Sequence, residues 1–383
     1  MLDNFYCSEK FTYLTVDIER KKSHSCCSAT PKRIDINWLK QNSGQIFNTP
    51  LLQQERQLML DNVPVPSCAD NCWKPEANGL TSRRLQQNTT ARTHTDITIN
   101  TPKDLHIVLG STCNLTCSYC CKEYSSAWAR DIDKNGSYLD QPRFTLTAQD
   151  KILANLSQTD HLETANFKFL CNELSKLSGV EKIMITGGEP LLYNYFPDFI
   201  NQLPTDVTIV FYTGLGVHTK RFKNQLSSIE NKKNIEVKVS AENCNKLYEF
   251  NRYGNSYSDF EVNFNELINQ NFKIGFSSVI SNLTIFGFAD FWKKYNQYPI
   301  NYSFCNDPDF LGVQVLNDST KDYIVNSLNA SVMPFKDELI TEIRKSCNDI
   351  QKQNFKIYIN QFTKRRNLDL AIFPVSMLQW LST

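Results

Sequence analysis

The chain has 383 residues, which is too long for one ordinary domain and predicts two or three units around a large buried core. Its 41 Lys and Arg residues and 40 Asp and Glu residues give a formal net charge of +1, which argues against a general nucleic-acid or anionic-membrane binder. The first residues, MLDNFYCSEKF, include Asp3 and Glu9 and are not typical of a signal peptide. No stretch approaches the roughly 20 apolar residues of a membrane span, so we expect a cytoplasmic protein.

Thirteen cysteines are many for such a chain. A secreted disulfide scaffold is normally short and carries an export signal, and neither condition holds here. In a reducing compartment, clustered thiols are more naturally ligands of a metal or an iron–sulfur cluster. The N-terminal set is Cys7, Cys26, Cys27, Cys68 and Cys72, and the central set is Cys113, Cys117, Cys120 and Cys121. We expect the scattered ones to be small buried hydrophobic residues: Cys171, Cys244, Cys305 and Cys347.

The first hundred residues, rich in Asn, Gln, Ser and Pro, are predicted to be irregular, and a metal centre would supply the stability that they lack. From Lys103 onward, short apolar runs alternate with amphipathic stretches, which predicts βαβ units and a parallel sheet. The predicted strands are 105–111, 181–187, 207–213, 235–241, 272–280 and 301–304, with helices at 166–178 and 288–297.

Six predicted strands are too few for a closed eight-stranded barrel, and a partial (β/α)6 barrel fits them. We therefore expect an α/β fold with three parts: an N-terminal cysteine-rich domain (1–100), the partial barrel (101–325) and a C-terminal helical segment (326–383). Residues 122–146 are predicted to be an inserted loop after the first barrel strand.

The most specific motif is Cys113-Asn-Leu-Thr-Cys117-Ser-Tyr-Cys120, directly after the first of these strands. Three thiolates on one short loop can bind three irons of a cubane cluster and leave the fourth iron open, as a catalytic centre requires. A zinc knuckle or three chance cysteines are the alternatives, although zinc sites usually have C-x2-C spacing and a fourth ligand.

A second motif, Thr186-Gly-Gly-Glu-Pro190, ends the next predicted strand. Two glycines allow close approach of the backbone to a ligand, and Glu189 offers a carboxylate to an ammonium group. Gly-Gly pairs alone are common turns. The two motifs in this order resemble those of the radical S-adenosylmethionine (SAM) superfamily.

The resemblance implies that Cys113, Cys117 and Cys120 hold a [4Fe–4S] cluster whose open iron is chelated by the methionine part of SAM. Gly187, Gly188 and Glu189 would contact the amino group of SAM, and Tyr119 would lie near its adenine. It also implies reductive cleavage to a 5′-deoxyadenosyl radical, and an external one-electron donor of the flavodoxin or ferredoxin type.

Three further residues resemble SAM-binding positions of this superfamily. Ser240 ends the fourth barrel strand, where relatives often have Ser-x-Asp, but Glu242 replaces the Asp. Arg252, in Glu249-Phe-Asn-Arg-Tyr-Gly254, resembles an arginine that pairs with the methionine carboxylate; a solvated surface arginine is the alternative. Asn282 is a candidate ribose ligand or simply a turn residue.

The N-terminal cysteines resemble the auxiliary-cluster module called SPASM or twitch, which here precedes the barrel, as in a group that includes phage and marine viral proteins. This resemblance implies a second [4Fe–4S] cluster held by Cys7, Cys26, Cys68 and Cys72, with Cys27 as the alternative to Cys26. A structural zinc is the main rival, because four thiolates suit zinc equally well.

The resulting functional hypothesis is a radical SAM enzyme that modifies a peptide or protein. The alternatives are radical oxidation of a small carbohydrate-like substrate, and a non-catalytic binding protein stabilised by a cluster or by zinc. The sequence leaves open the substrate, the fate of SAM and the oligomeric state.

Overall fold

A computed structural model describes residues 4–87, 89–148, 150–151 and 164–382, and shows a mixed α/β chain whose longer strands pair in parallel. The strands are β1 (Tyr13–Asp17), β2 (Lys22–His24), β3 (Lys32–Arg33), β4 (Asp104–Val108), β5 (Thr116–Cys117), β6 (Lys182–Thr186), β7 (Thr208–Thr213), β8 (Ile235–Ser240), β9 (Arg252–Tyr253), β10 (Lys273–Ile280) and β11 (Ile300–Phe304). The α-helices are α1 (Glu9–Thr12), α2 (Ile36–Gln41), α3 (Pro50–Leu60), α4 (Lys74–Ala77), α5 (Arg83–Gln86), α6 (Ser126–Asn135), α7 (Ala165–Ser175), α8 (Phe196–Gln202), α9 (Thr219–Ser227), α10 (Asn245–Asn251), α11 (Tyr257–Asn269), α12 (Phe288–Tyr295), α13 (Asp318–Asn329), α14 (Lys336–Ile343), α15 (Asp349–Arg366) and α16 (Val375–Ser382). None of the helices in the described ranges has the length and apolar character that crossing a membrane requires.

One compact unit comprises Met1–Gly110, Gln158–Phe211 and Ser228–Ile235. Its strands lie in the order β3-β2-β1-β4-β6-β7. Strands β1, β4, β6 and β7 run parallel, whereas β2 and β3 pair antiparallel. The register aligns Asp17 with Val108 and Val108 with Thr186. The carboxyl ends of β1, β4 and β6 are therefore level at one edge of the sheet.

The other unit comprises Ser111–Ser157, Tyr212–Ser227 and Glu236–Thr383. It contains the parallel strands β8, β10 and β11, with Ser240 opposite Ser277. A second, antiparallel ladder joins β5 to β9 and places Cys117 opposite Arg252. Two residues that are far apart in the sequence thereby become direct neighbours.

Each of the strands predicted from Lys103 onward is present, with ends that shift by a few residues, and so are both predicted helices. These segments were recognisable because β-branched and aromatic residues alternate with amphipathic stretches. The closure of a partial barrel and the domain limits 1–100, 101–325 and 326–383 stay predictions.

The prediction that residues 122–146 form a loop was wrong. The segment contains α6, whose N-cap Ser125 accepts a hydrogen bond from the Trp128 amide, and whose helix ends before Gly136. One face of α6 buries Trp128, Ala129 and Ile132. Charged residues lie between them in the sequence, so the helical spacing of the apolar residues was not recognised.

The first hundred residues are also more regular than predicted. Strand β1 buries Leu14, Thr15 and Val16 and pairs in parallel with β4. Helix α3 begins with Pro50 after the N-cap Thr49. Strand β1 has only five residues, so its apolar positions do not form a recognisable pattern among the polar residues around it.

Arg56 of α3 is fully buried and binds several backbone carbonyls of this N-terminal region. It donates to the carbonyl oxygens of Lys10 at 3.0 Å, Ile97 at 2.8 Å and Phe47 at 2.8 Å. Burial lowers the pKa of Arg56 to about 10, so the guanidinium stays charged at neutral pH. The side chain therefore ties together segments that have few apolar residues of their own.

We expect Arg56→Met to lower the free energy of unfolding by about 3–5 kcal/mol, because several buried carbonyl oxygens lose their donor. Arg33→Met, at an exposed position of β3, should change it by less than about 0.5 kcal/mol. Urea unfolding of both variants tests this, and equal effects would show that the buried contacts of Arg56 do not stabilise the fold.

Candidate functional site

Three cysteines of the loop after β4 pack together. Cys113 and Cys117 are buried with Leu115, and Tyr119 and Cys120 pack against them. Burial first, and then the charges of Cys117 and Cys113, raise the pKa of Cys120. Thiolates held this close repel each other, and a bound cationic centre would remove that repulsion. Soft sulfur donors of this kind favour iron–sulfur clusters or zinc.

Within the ranges that the structure describes, no three His, Cys, Asp or Glu side chains are arranged to share one metal ion. In a cubane cluster each cysteine binds a different iron, so the ligands need not converge on one point. The grouping of Cys113, Cys117 and Cys120 is therefore compatible with the donor set of such a cluster.

Helix α6 holds the cysteine loop in place. Ser126 Oγ accepts from the Cys113 amide at 3.2 Å and donates to the Cys113 carbonyl at 3.1 Å. The Trp128 indole, which is fully buried, donates to the Cys117 carbonyl at 3.0 Å. The segment predicted to be an inserted loop is thus the support of the candidate site.

Beside the loop lies a buried network of Tyr119, Glu242 and Arg252. Tyr119 Oη donates to Glu242 Oε1 at 2.7 Å. Arg252 donates to the same carboxylate from Nε at 3.2 Å and from Nη2 at 2.7 Å, and Nη2 also contacts Tyr119 Oη. A further Arg252 nitrogen, Nη1, lies 3.8 Å from Cys117 Sγ. The network therefore reaches the central cysteine of the motif.

Burial determines the electrostatics of this network. Arg252 is 4% exposed and Glu242 is 1% exposed, which excludes a solvated surface arginine. Burial alone would lower the pKa of Arg252, but Glu242, Tyr119 and Cys117 together raise that pKa above its usual range. Burial raises the pKa of Tyr119 well above 10, with Arg252 opposing this shift and Glu242 adding to it. Tyr119 therefore stays protonated and donates.

The GGEP motif forms a tight turn after β6. Gly187 has φ of +136°, and a Cβ at this position would lie 2.9 Å from the Gly110 carbonyl oxygen. The Gly188 amide donates to the same oxygen at 2.8 Å. Glu189 is buried, and its carboxylate accepts from the Leu191 amide at 3.3 Å. The turn is thus fixed against the Gly110 carbonyl, just beyond the end of β4.

The other predicted SAM-binding residues lie at strand ends. Ser240 is the half-buried last residue of β8. Asn282 follows β10 and is fully buried, and its amide nitrogen donates to the Phe310 carbonyl at 2.9 Å. Its Oδ1 has no hydrogen-bond partner among the described residues. Their roles toward SAM stay predictions.

Four of the N-terminal cysteines line one small cavity in the unit that contains residues 4–87. These are the buried residues Cys7, Cys26, Cys68 and Cys72. Cys27 is exposed and instead lines a separate cavity of about 480 Å³. The structure thus distinguishes two neighbouring cysteines that the sequence could not separate, and groups Cys26 with the predicted ligands.

The N-terminal thiols have unequal pKa values. Burial raises the pKa of Cys72 to about 11. A hydrogen bond to Cys26, followed by the Arg83 charge, lowers the pKa of Cys27 to about 6 against the effect of burial. The same hydrogen bond and burial raise the pKa of Cys26. Burial would lower the pKa of Lys10, but Cys68 and Glu55 raise it, so Lys10 stays charged beside the thiols.

Sequence reasoning missed the roles of Glu242, Trp128 and Lys10. Glu242 was noted only as a departure from Ser-x-Asp, yet it is the carboxylate that holds Arg252. Its position two residues after Ser240 was the available signal. Trp128 and Lys10 had no signal, since their contacts join segments that are distant in sequence.

No protein-family model and no curated protein matches the chain. Solved structures that match it include anSMEcpe with bound AdoMet, at 17% identity and a TM-score of 0.40, covering 64% of this chain and 64% of that chain. Another is SuiB from Streptococcus suis bound to precursor peptide SuiA, at 12% identity and a TM-score of 0.33, covering 95% of this chain and 71% of that chain. The chain thus spans less than two thirds of anSMEcpe, and these distant likenesses do not establish a family.

Glu242→Gln should lower the free energy of unfolding by about 3–5 kcal/mol, because it leaves the Arg252 charge buried without its partner. The matched control is Asp322→Asn, which breaks an exposed pair with Arg344 and should cost at most about 1 kcal/mol. Chemical denaturation measures the free energy of unfolding of both variants. A decrease in Glu242→Gln no larger than in the control would contradict a stabilising buried ion pair.

Proposed function

We propose that the chain is a radical SAM enzyme that modifies a peptide or protein substrate. The observation that supports it best is the packing of Cys113, Cys117 and Cys120 on one loop, supported by α6 and bordered by Arg252. When bound, a [4Fe–4S] cluster at this site supplies the electron that cleaves SAM into methionine and a 5′-deoxyadenosyl radical, which abstracts hydrogen from substrate.

The protein's own residues would hold and orient the cofactor. The three thiolates would bind three irons, and the hydrogen bonds from α6 fix the loop that carries these cysteines. Gly187, Gly188 and Glu189 would bind the amino group of SAM. Arg252 would pair with the methionine carboxylate, held in position by Glu242. Tyr119, Ser240 and Asn282 complete the proposed SAM contacts.

A second [4Fe–4S] cluster at Cys7, Cys26, Cys68 and Cys72 is part of the proposal. Its support is the convergence of four buried thiols on one cavity, a donor set that closes a cluster without an open iron. A structural zinc at the same thiols is the competing hypothesis. The remaining parts of the proposal, an external one-electron reductant and a cytoplasmic location, rest on the resemblance and on composition.

Anaerobically reconstituted wild-type protein should convert SAM into 5′-deoxyadenosine in the presence of dithionite. Cys117→Ala should reduce product to the background, because the cluster loses a ligand. Cys121→Ala removes a buried neighbouring thiol outside the C-x3-C-x2-C pattern and should keep the activity. Chromatography measures the 5′-deoxyadenosine that each variant forms. Turnover in Cys117→Ala would refute the assignment of Cys117 as a cluster ligand.

Iron content tests the second cluster. Wild type should bind about eight irons per chain, and a Cys113/Cys117/Cys120 triple alanine variant about four. In that triple variant, adding Cys26→Ala should remove most of the remaining iron, whereas Cys27→Ala should leave it. One zinc and no iron in the triple variant would favour the structural-metal hypothesis.

A further inference from the structure

Two buried cations line the cavity of the four N-terminal thiols. Lys10 is 0% exposed and Arg84 is 3% exposed. Both border the same space as Cys7, Cys26, Cys68 and Cys72. Positive charge is therefore placed at the wall of a cavity that is otherwise small and enclosed.

Each cation has a carboxylate partner that lies away from the cavity. Lys10 Nζ is 2.6 Å from Glu55 Oε2, and Arg84 Nε donates to Glu76 Oε1 at 3.1 Å. Neither Glu55 nor Glu76 lines the cavity. The charges of Cys68 and Cys26 act on Lys10, so the positive end of the Lys10–Glu55 pair acts on the thiols. The pKa of Cys72 is raised by burial and further by Glu76, whereas Arg84 acts on Cys72 through a backbone hydrogen bond.

One negative side chain also borders the cavity, and it is already neutralised. Glu9 lines the same space, but its carboxylate accepts from Arg83 at 3.0 Å. Glu9 therefore carries a paired charge, as Lys10 and Arg84 do.

Burying charges is costly, since an ion pair often stabilises a fold no more than well-packed apolar side chains would. A further negative charge in the cavity would offset the free-energy cost of burying these cations. A cluster held by four thiolates is an anion, and it becomes more negative when it gains an electron. Buried cations beside it favour the reduced state over the oxidised state.

We propose that Lys10 sets the reduction potential of the auxiliary cluster, raising it by stabilising the reduced form. This inference rests on the proposed function, because it requires that the four thiols hold an iron–sulfur cluster. Glu55 and Glu76 have the opposite influence and limit the size of the effect.

The test is an EPR-monitored redox titration of the full-length Cys113/Cys117/Cys120 triple alanine variant, in which only the auxiliary cluster remains. Adding Lys10→Met should lower the reduced-to-oxidised ratio at a fixed potential by about tenfold, which is a midpoint shift of about 59 mV. The methionine keeps the length and apolar stem of the lysine. Lys74→Met is the matched control, since its exposed pair with Asp70 is screened by water and should leave the midpoint unchanged.

Glu55→Gln provides the second measurement, because it removes the anion while leaving Lys10 in place. Its midpoint should rise, and a change of opposite sign in two variants of one ion pair is not expected from a loss of packing. Equal midpoints in Lys10→Met, Glu55→Gln and the control, at full iron content, would overturn the inference. Zinc instead of iron would overturn it together with the auxiliary cluster, whereas a failure of 5′-deoxyadenosine formation in the wild type would count against the proposed function alone.

Discussion

Thiol groups that would repel one another as thiolates are held close together in each of the two compact units, and the remainder of each candidate site depends on this constraint. The pKa of Cys120 is raised by burial and by its neighbours, and that of Cys72 by burial and by Cys68. Binding of a cationic centre would favour the thiolate forms and remove the repulsion between them. Metal binding would therefore release protons and stabilise the fold at the same time.

Hydrogen bonds from neighbouring helices fix the backbone of the cysteine loop. Backbone carbonyls of the loop accept hydrogen bonds from Trp128 and from the buried Tyr358 of α15. Ser118 Oγ donates to Asn251 at 2.7 Å, next to the ladder that pairs Cys117 with Arg252. Side chains from several helices thus fix the backbone of the loop. The loop would therefore lose less conformational entropy when a cluster binds.

The sequence was sufficient to predict the parallel strands from β4 onward and the grouping of Cys113, Cys117 and Cys120, because these depend on local patterns and short spacing. It was insufficient for α6 and β1, whose apolar residues are few and are completed by contacts with distant segments. The same limit applies to Glu242 and Lys10. Charged residues are normally exposed, and only the fold reveals that these two are buried beside a partner.

The side chain of Glu242, which is longer than the Asp of the Ser-x-Asp pattern, makes several contacts within the protein. Its carboxylate accepts from Arg252, Tyr119 and the Val279 amide, which lies 3.1 Å from Oε1. With those bonds made, the carboxylate holds Arg252 in position. A shorter aspartate at this position would have to move the strand or give up one of these donors. Glu242 thus holds Arg252 as the charged group next to Cys117.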